Sequence, residues 1–169
     1  MDRRLFLVTA AALAALGGGA AAQSAKAVLT SAKGAEIGTV ELTEGTDGVL
    51  VTLKARHLPA GEHAFHIHAV GKCEPPFTSA GSHFNPGGKK HGMMAAEGQH
   101  AGDMPNLVVP KSGVLTVEFV NTQVTLKKGV PNSLYQPNGT AFVIHAGQDD
   151  YKTDPSGNAG DRIACAVVE

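Results

Sequence analysis

Histidines in apolar stretches are the first feature of the sequence that could do chemistry. His66 and His68 lie two residues apart in "FHIH", and His145 ends a second apolar stretch, "AFVIH". In a β-strand, residues i and i+2 point to the same face, about 6.6 Å apart along the chain, so the first two imidazoles could reach one point. Three imidazoles suit copper, zinc, iron or nickel. Packed or solvated histidines are the alternative, which this spacing alone does not exclude.

A second group of metal-capable side chains lies in one long segment between those two stretches. Three imidazoles and one carboxylate, with no thiolate among them, form a closed four-ligand set suited to zinc. The four residues are His83, His91, His100 and Asp103. Glycines beside them favour a backbone bent to aim side chains, whereas the alternative is a solvated polar loop with scattered histidines.

Short alternating segments must position these groups. Helix signals are weak, and Gly, Pro, Asn and Asp separate segments with the period-2 pattern of half-buried strands. Two long segments, residues 69–110 and 146–161, contain no convincing strand and are interpreted as functional loops. Eight strands in an antiparallel sandwich or barrel are therefore predicted, in the segments AKAVLTS, EIGTVELT, GVLVTLKA, HAFHIHA, GVLTVEFV, QVTLKKG, TAFVIHAG and RIACAVVE.

The first 22 residues have the pattern of a secretory signal. Arg3 and Arg4 precede a short apolar run that ends in three alanines at residues 20–22, and the run is too short to span a bilayer comfortably. Cleavage after residue 22 would leave one domain, residues 23–169. The paired arginines leave open whether export follows the general secretory or the twin-arginine route.

The net charge limits which partners are expected, and the two cysteines indicate a disulfide. The formal net charge is −1 at pH 7, and without a basic stripe no nucleic-acid partner is expected. No strongly amphipathic segment follows the leader, so no membrane role is expected for the mature chain. Cys73 and Cys165 are an even pair in a chain with an export signal, which favours a disulfide over two buried thiols.

Six motifs together resemble the bacterial copper/zinc superoxide dismutases. The resemblance runs from about residue 26 to the C-terminus, with the motifs in order, and "AGSHFNP" and "GDRIAC" are highly specific to that family. It implies an all-β fold, an eight-stranded antiparallel Greek-key β-barrel or sandwich with two long functional loops. The motifs are FHIH, CEPPFTSAGSHFNP, KKHG, GQHAGDMPNL, FVIHAGQDD and GDRIACAVV.

The resemblance also implies the metal ligands. Four histidines would bind copper: His66, His68, His83 and His145. The imidazolate of one of them would bridge to a structural zinc, held by His83, His91, His100 and Asp103.

Further roles follow from the same resemblance. Asp149 would tie a copper-site ring to a zinc-site ring, and Arg162 would attract the anionic substrate beside copper. Cys73 and Cys165 would form the disulfide that pins the ligand loop to the last strand. Independently of the resemblance, the chain is net negative, so capture of an anion needs a local positive path, for which Lys152 in the acidic loop is a candidate.

Two histidines match no ligand position in the family pattern. His57 and His63 are expected at the surface or at a strand edge, and the sequence assigns neither a role.

The function implied is the conversion of superoxide to dioxygen and hydrogen peroxide. Copper would cycle between Cu(II) and Cu(I), because zinc has no second oxidation state to use. The protein would be periplasmic, either a monomer or a homodimer. A non-catalytic periplasmic protein that binds copper and zinc on the same fold is the alternative. A hydrolytic zinc enzyme would need an open zinc position, which the closed four-ligand set does not offer.

Overall fold

The computed structural model describes residues 22–169, so the predicted signal segment lies outside it except for Ala22. The described chain forms nine strands and one short 3-10 turn, Thr78–Ala80. The strands are β1 (Ser24–Ser31), β2 (Glu36–Glu44), β3 (Val49–Ala55), β4 (Gly61–His63), β5 (Phe65–His68), β6 (Leu107–Val109), β7 (Leu115–Asn121), β8 (Thr140–His145) and β9 (Arg162–Val168).

The strands form an antiparallel barrel with Greek-key connections. Seven strands pair in the order β5-β8-β9-β1-β2-β3-β7, and β4 pairs with β6 in a two-stranded sheet. One residue separates β4 from β5, and residues 110–114 connect β6 to β7. The small sheet therefore joins both edges of the large one, which confirms the predicted all-β fold class.

Alternate residues of the strands fill the barrel. In β3, Val49, Val51 and Leu53 are fully buried, while the residues between them are partly exposed. This period-2 pattern is what a strand shows when one face packs on a core and the other meets solvent. β5 and β8 differ, because every residue in both strands is buried. Their outer faces are covered by the two long loops, which makes this side of the barrel the place for a buried site.

One predicted strand is wrong. Residues 123–129 alternate in burial, with Val124 and Leu126 in the core, but they form turns instead of a strand. The carboxylate of Glu44 accepts the backbone N–H of Leu126 at 2.5 Å and the hydroxyl of Thr125 at 2.6 Å. Among the described residues, backbone pairing in this segment is limited to an isolated bridge between Thr125 and Ser133, so the burial alternates but no ladder forms.

Two further boundaries differ from the prediction. Residues 107–109, expected within the first long loop, form β6, which pairs with β4. The predicted strand at 63–69 is divided at Ala64, whose N–H donates to the carbonyl oxygen of Gly147. The two predicted long loops are therefore residues 69–106 and 146–161, and residues 122–139 form a third long connection. Among residues 22–169, no helix is long and apolar enough to cross a membrane.

Candidate metal centre

Three histidines are placed by the sheet itself. His66 and His68 lie on the same face of β5, which pairs with β8, and His145 ends β8. We call these three residues the strand set. Their ring nitrogens and that of His83 approach one another within 4.8 Å, and all four residues are buried. Strand pairing, and not a flexible loop, therefore brings three of the four rings together.

Hydrogen bonds fix which nitrogen of each strand-set ring faces the centre. Nδ1 of His68 lies 2.9 Å from the carbonyl oxygen of Gly81, and Nδ1 of His145 lies 3.2 Å from that of Gly160. A carbonyl oxygen only accepts, so both Nδ1 atoms donate, and in the neutral ring Nε2 keeps its lone pair. These two Nε2 atoms lie 3.4 Å apart.

Two further nitrogens at the centre have no hydrogen-bond partner. Nε2 of His66 donates to Asp149 Oδ2 at 2.8 Å, which leaves its Nδ1 buried and unpaired among the described residues. Nε2 of His83 is likewise buried without a partner. Unpaired buried polar atoms are costly and call for an explanation. Lone pairs from four rings converge here, which is a donor set that fits a copper ion.

A second set of ligand atoms comes from the first long loop. We call His91, His100 and Asp103 the loop set. The Nδ1 atoms of His83 and His91 lie 2.9 Å and 3.0 Å from Asp103 Oδ1. Asp103 Oδ2 accepts the N–H groups of Gly92 and His100, at 2.8 Å and 3.1 Å. Nδ1 of His100 lies 3.4 Å from the same Oδ1 atom, so three nitrogens surround one carboxylate oxygen, a closed set that fits zinc.

The ring of His83 lies between the strand set and the loop set and faces both. Its Nδ1 faces Asp103, and its Nε2 is the unpaired atom beside the strand set. The centroids of its ring and that of His66 are 4.1 Å apart, and the ring of His100 is 5.4 Å away on the other side. One side chain therefore connects the two candidate metal positions.

Burial keeps three of the rings near the candidate copper position neutral. It lowers the pKa of His68 to about 2, that of His145 to about 3 and that of His83 to about 4. Desolvation penalises the charged imidazolium, and neighbouring rings and the charge of Arg162 act in the same direction. At neutral pH these rings are uncharged, which is the form that binds metals.

The loop set has the opposite electrostatics. Burial alone would lower the pKa of His91, but hydrogen bonds to Asp103 and Asp149 raise it to about 9. Burial would raise the pKa of Asp103, but the hydrogen bonds it accepts from His100, His83 and His91 hold that pKa well below its usual range. The loop set is therefore assembled around a permanent negative charge.

Asp149 connects the strand set to the loop set. Its Oδ2 accepts from Nε2 of His66 at 2.8 Å, and its Oδ1 accepts from Nε2 of His91 at 2.9 Å. Burial opposes ionisation of Asp149, but these hydrogen bonds keep its pKa well below the usual range. Carboxylates that orient a ring from outside the ligand shell raise its basicity and fix its tautomer.

Arg162 begins β9 next to this centre. It is paired with His145 across β8 and β9, and its guanidinium donates to the carbonyl oxygens of Phe77 and Gly81, both at 2.7 Å. The predicted disulfide between Cys73 and Cys165 is confirmed. It ties β9 to the segment that carries both of these carbonyl groups.

Sequence reasoning missed several groups that hold the site. The carbonyl of Gly81 accepts from both His68 and Arg162, but a backbone acceptor carries no residue-type signal. Asn106 pairs through its side chain with both backbone polar groups of Asp149, at 2.8 Å and 2.9 Å. Its position three residues after Asp103, in "DMPN", is the only sequence hint.

The two histidines without a predicted role lie in different environments. His57 is exposed between β3 and β4, as expected. His63 ends β4, which agrees with the strand-edge alternative, but it is buried and not at the surface. Its ring nitrogens lie 2.9 Å and 3.0 Å from the carbonyl oxygens of His145 and Pro59. The ring therefore supports the backbone of His145, a strand-set residue.

Lys152, the candidate for steering the substrate, is exposed on the second long loop.

Comparison with known proteins places this centre in a family. The family model of copper/zinc superoxide dismutase (SODC) matches residues 36–168. A superoxide dismutase [Cu-Zn] of Aquifex aeolicus is 55% identical over 143 residues, which cover 83% of this chain and 85% of that protein.

Two solved structures have the same fold. The SOD-like protein of Bacillus subtilis superposes with a TM-score of 0.84 at 37% identity, covering 88% of this chain and 100% of its own. The Cu/Zn superoxide dismutase of Brucella abortus superposes with a TM-score of 0.71 at 26% identity, covering 87% of this chain and 100% of its own. With a family match over most of its length and a relative at more than half identity, the chain belongs to the copper/zinc superoxide dismutase family.

Proposed function

We propose that the protein dismutates superoxide, 2 O2•− + 2 H+ → O2 + H2O2, with copper and zinc bound at the two positions described above. The observation that carries this proposal is the ring of His83, which has one nitrogen in each ligand group. A storage site needs no such connection, whereas a reaction that consumes protons at the copper position benefits from a ring that is held in place from its far side.

The donor atoms divide between the two metals. Copper would be held by Nδ1 of His66 and by Nε2 of His68, His83 and His145. Zinc would be held by Oδ1 of Asp103 and by Nδ1 of His83, His91 and His100. When bound, copper supplies a one-electron Cu(II)/Cu(I) couple, while zinc supplies a fixed positive charge.

His83 holds and releases a proton at Nε2. Burial lowers the pKa of its ring to about 4, so the chain does not keep this atom protonated by itself at neutral pH. Nδ1 of His83 lies 2.9 Å from Asp103 Oδ1, and with zinc bound to both atoms the ring would keep its place while the proton on Nε2 comes and goes. The role of the loop set is thus to restrain a proton carrier.

Arg162 attracts the substrate. A guanidinium has five N–H donors, and two of its nitrogens are committed to the carbonyl groups of Phe77 and Gly81. The remaining donors and the permanent positive charge are available to a small anion. Because the chain has a net charge of −1, capture of superoxide depends on this local positive charge, and Lys152 could add to it.

The protein would act in the periplasm, after loss of residues 1–22. The leader pattern and the disulfide between Cys73 and Cys165 support this location, because disulfides persist in oxidising compartments. Intact mass of protein recovered from the periplasmic fraction tests it, and the expected mature chain begins at Gln23.

Superoxide decay followed by stopped flow tests the activity. The purified protein is loaded with copper and zinc, or with zinc alone, and matched for oxidised disulfide. Fast decay only in the copper-containing sample is expected. Full copper and zinc occupancy without superoxide consumption would overturn the proposal and would favour a non-catalytic protein that binds the two metals.

A further inference from the structure

Tyr151 contacts three segments around the carboxylate of Asp149. Its backbone N–H donates to Asp149 Oδ1 at 2.7 Å. Its phenol oxygen accepts the backbone N–H of Asn106 at 2.7 Å. Its carbonyl oxygen accepts the N–H of Met94 at 3.1 Å. One residue of the second long loop is thereby joined to both ends of the segment that carries the loop set.

The backbone of Tyr151 has an uncommon conformation. Its φ is 62°, in the left-handed region that bulky side chains rarely adopt. Such a conformation persists only where the surroundings hold it, and it is often found at functional sites. Here it turns the N–H of Tyr151 back to the Asp149 side chain. Gly92 packs against the other side, where a Cβ would collide with the carbonyl oxygen of Tyr151.

Asn106 completes the arrangement from the opposite side. Its side-chain amide pairs with both backbone polar groups of Asp149, while its own N–H is the donor to the phenol of Tyr151. Residues 149 and 151 are thus held to residue 106 by three hydrogen bonds. The carboxylate between them must reach Nε2 of His66 and Nε2 of His91 at once, at 2.8 Å and 2.9 Å.

We propose that Tyr151 is a positioning residue whose phenol oxygen sets where the carboxylate of Asp149 lies, and through it the orientation of the His66 and His91 rings. The ligand roles of those rings rest on the proposed function. Without the phenol oxygen, the N–H of Asn106 loses its acceptor and the left-handed turn at residue 151 loses its anchor. The ring of Phe would keep the packing but not this anchor.

The Tyr151→Phe variant, without metals, tests the anchor directly. Hydrogen exchange of the Asn106 amide is expected to be about tenfold faster than in the parent protein, because that amide loses its hydrogen bond. The control is Tyr135→Phe. Tyr135 is the other of the two tyrosines in the chain, and within residues 22–169 its phenol oxygen makes no hydrogen bond, while its ring lies 5.1 Å from Lys128 Nζ. Unchanged exchange at Asn106 in Tyr151→Phe would overturn the proposal.

The effect on the ligand rings is measured with Co(II) in the zinc position and by transfer of zinc to a chelator. For Tyr151→Phe, we expect a shift of the Co(II) visible bands and zinc transfer about tenfold faster, since partners beyond the ligand shell affect metal affinity by about 10–100-fold. Tyr135→Phe should change neither quantity. A lower melting temperature with unchanged bands and unchanged zinc transfer would mean that Tyr151 only packs, and would overturn the proposal.

These readouts are independent of turnover. If the parent protein does not consume superoxide, the proposed function fails, while the exchange and Co(II) results still decide whether Tyr151 positions the Asp149 carboxylate.

Discussion

The strand set and the loop set approach the same ring, His83, but are held in place by different means. His66, His68 and His145 are positioned by pairing of β5 with β8, which needs no charge and no ligand. His91, His100 and Asp103 lie in a loop and are held by hydrogen bonds around one buried carboxylate. The proposed copper position is thus largely preformed by the barrel, whereas the proposed zinc position depends on side-chain charges that must stay balanced.

The largest expected effect comes from the residue that the two sets share. Replacing His83 by Ala should lower kcat/KM for superoxide by at least about 100-fold, which is within the range lost with a positioned proton donor. Metal analysis should show losses at both positions. The control is His57→Asn, because His57 is exposed and has a φ of 61° that Asn tolerates. Normal activity and full occupancy in His83→Ala would contradict the shared role.

His91 and the strand-set rings of His68 and His145 should respond oppositely to pH in the metal-free protein. The pKa of His91 is raised to about 9, so the folded state binds more protons than the unfolded state above about pH 6.5. Its stabilising contribution is complete below that pH and is lost as the pH rises through 9. We expect the free energy of unfolding in urea to fall by about 2–3 kcal/mol across this window.

On the acid side, His68, His145 and His83 have lowered pKa values. The unfolded state therefore takes up more protons below about pH 6.5, and stability falls as the pH falls. The His91→Gln variant should remove the alkaline loss and keep the acid loss. If the variant keeps both, the loop set does not govern the alkaline side.

Replacing Asp149 by Asn should weaken the binding of the two metals unequally. One amide cannot accept from both rings, so His66 or His91 loses its partner. Zinc affinity, measured by chelator competition, should fall by about 10–100-fold, and copper affinity should fall less because β5 still holds His66. The matched control is Asp150→Asn, because the half-buried side chain of Asp150 bonds only within its own loop. Equal losses for both metals would contradict the distinction between preformed and charge-held ligands.

The smallest expected effect concerns a residue outside both sets. Arg162→Ala should lower kcat/KM by about tenfold, at the lower end of the range for electrostatic steering, while both metals remain bound. The rate of the variant should also depend less on ionic strength, as measured by stopped flow. Arg56→Ala is the control, because Arg56 is exposed at the far end of β3. Metal loss in Arg162→Ala would show instead that this residue supports the ligands.

Residues on regular strands were predictable from sequence because their spacing carries the geometry. The two-residue spacing of His66 and His68 indicates one face, and seven of the eight alternating segments coincide with a strand. The strand predicted at residues 123–129 was wrong because burial alternates there although the backbone N–H of Leu126 bonds to the side chain of Glu44. The strand at 107–109 was missed because it has three residues and lies between two prolines, Pro105 and Pro110.

The supports of the site were the least predictable part. Tyr151, Asn106 and His63 act through contacts with residues far away in the chain, and the sequence pattern around each is ordinary. The carbonyl groups that hold Arg162 and His68 are not side chains at all. Residue types indicate which side chains can be ligands, but the hydrogen bonds that orient those side chains form only in the folded chain.

The carbonyl oxygen of Gly81 gives the ring of His68 and the guanidinium of Arg162 a common reference point. It accepts from Nδ1 of His68 and from the guanidinium of Arg162, and the other acceptor of Arg162, Phe77, lies in the same short segment. Thermal displacement of that segment therefore carries the ring and the cation together and not apart. The distance between the His68 ring and the Arg162 guanidinium is thus buffered against fluctuations of that segment.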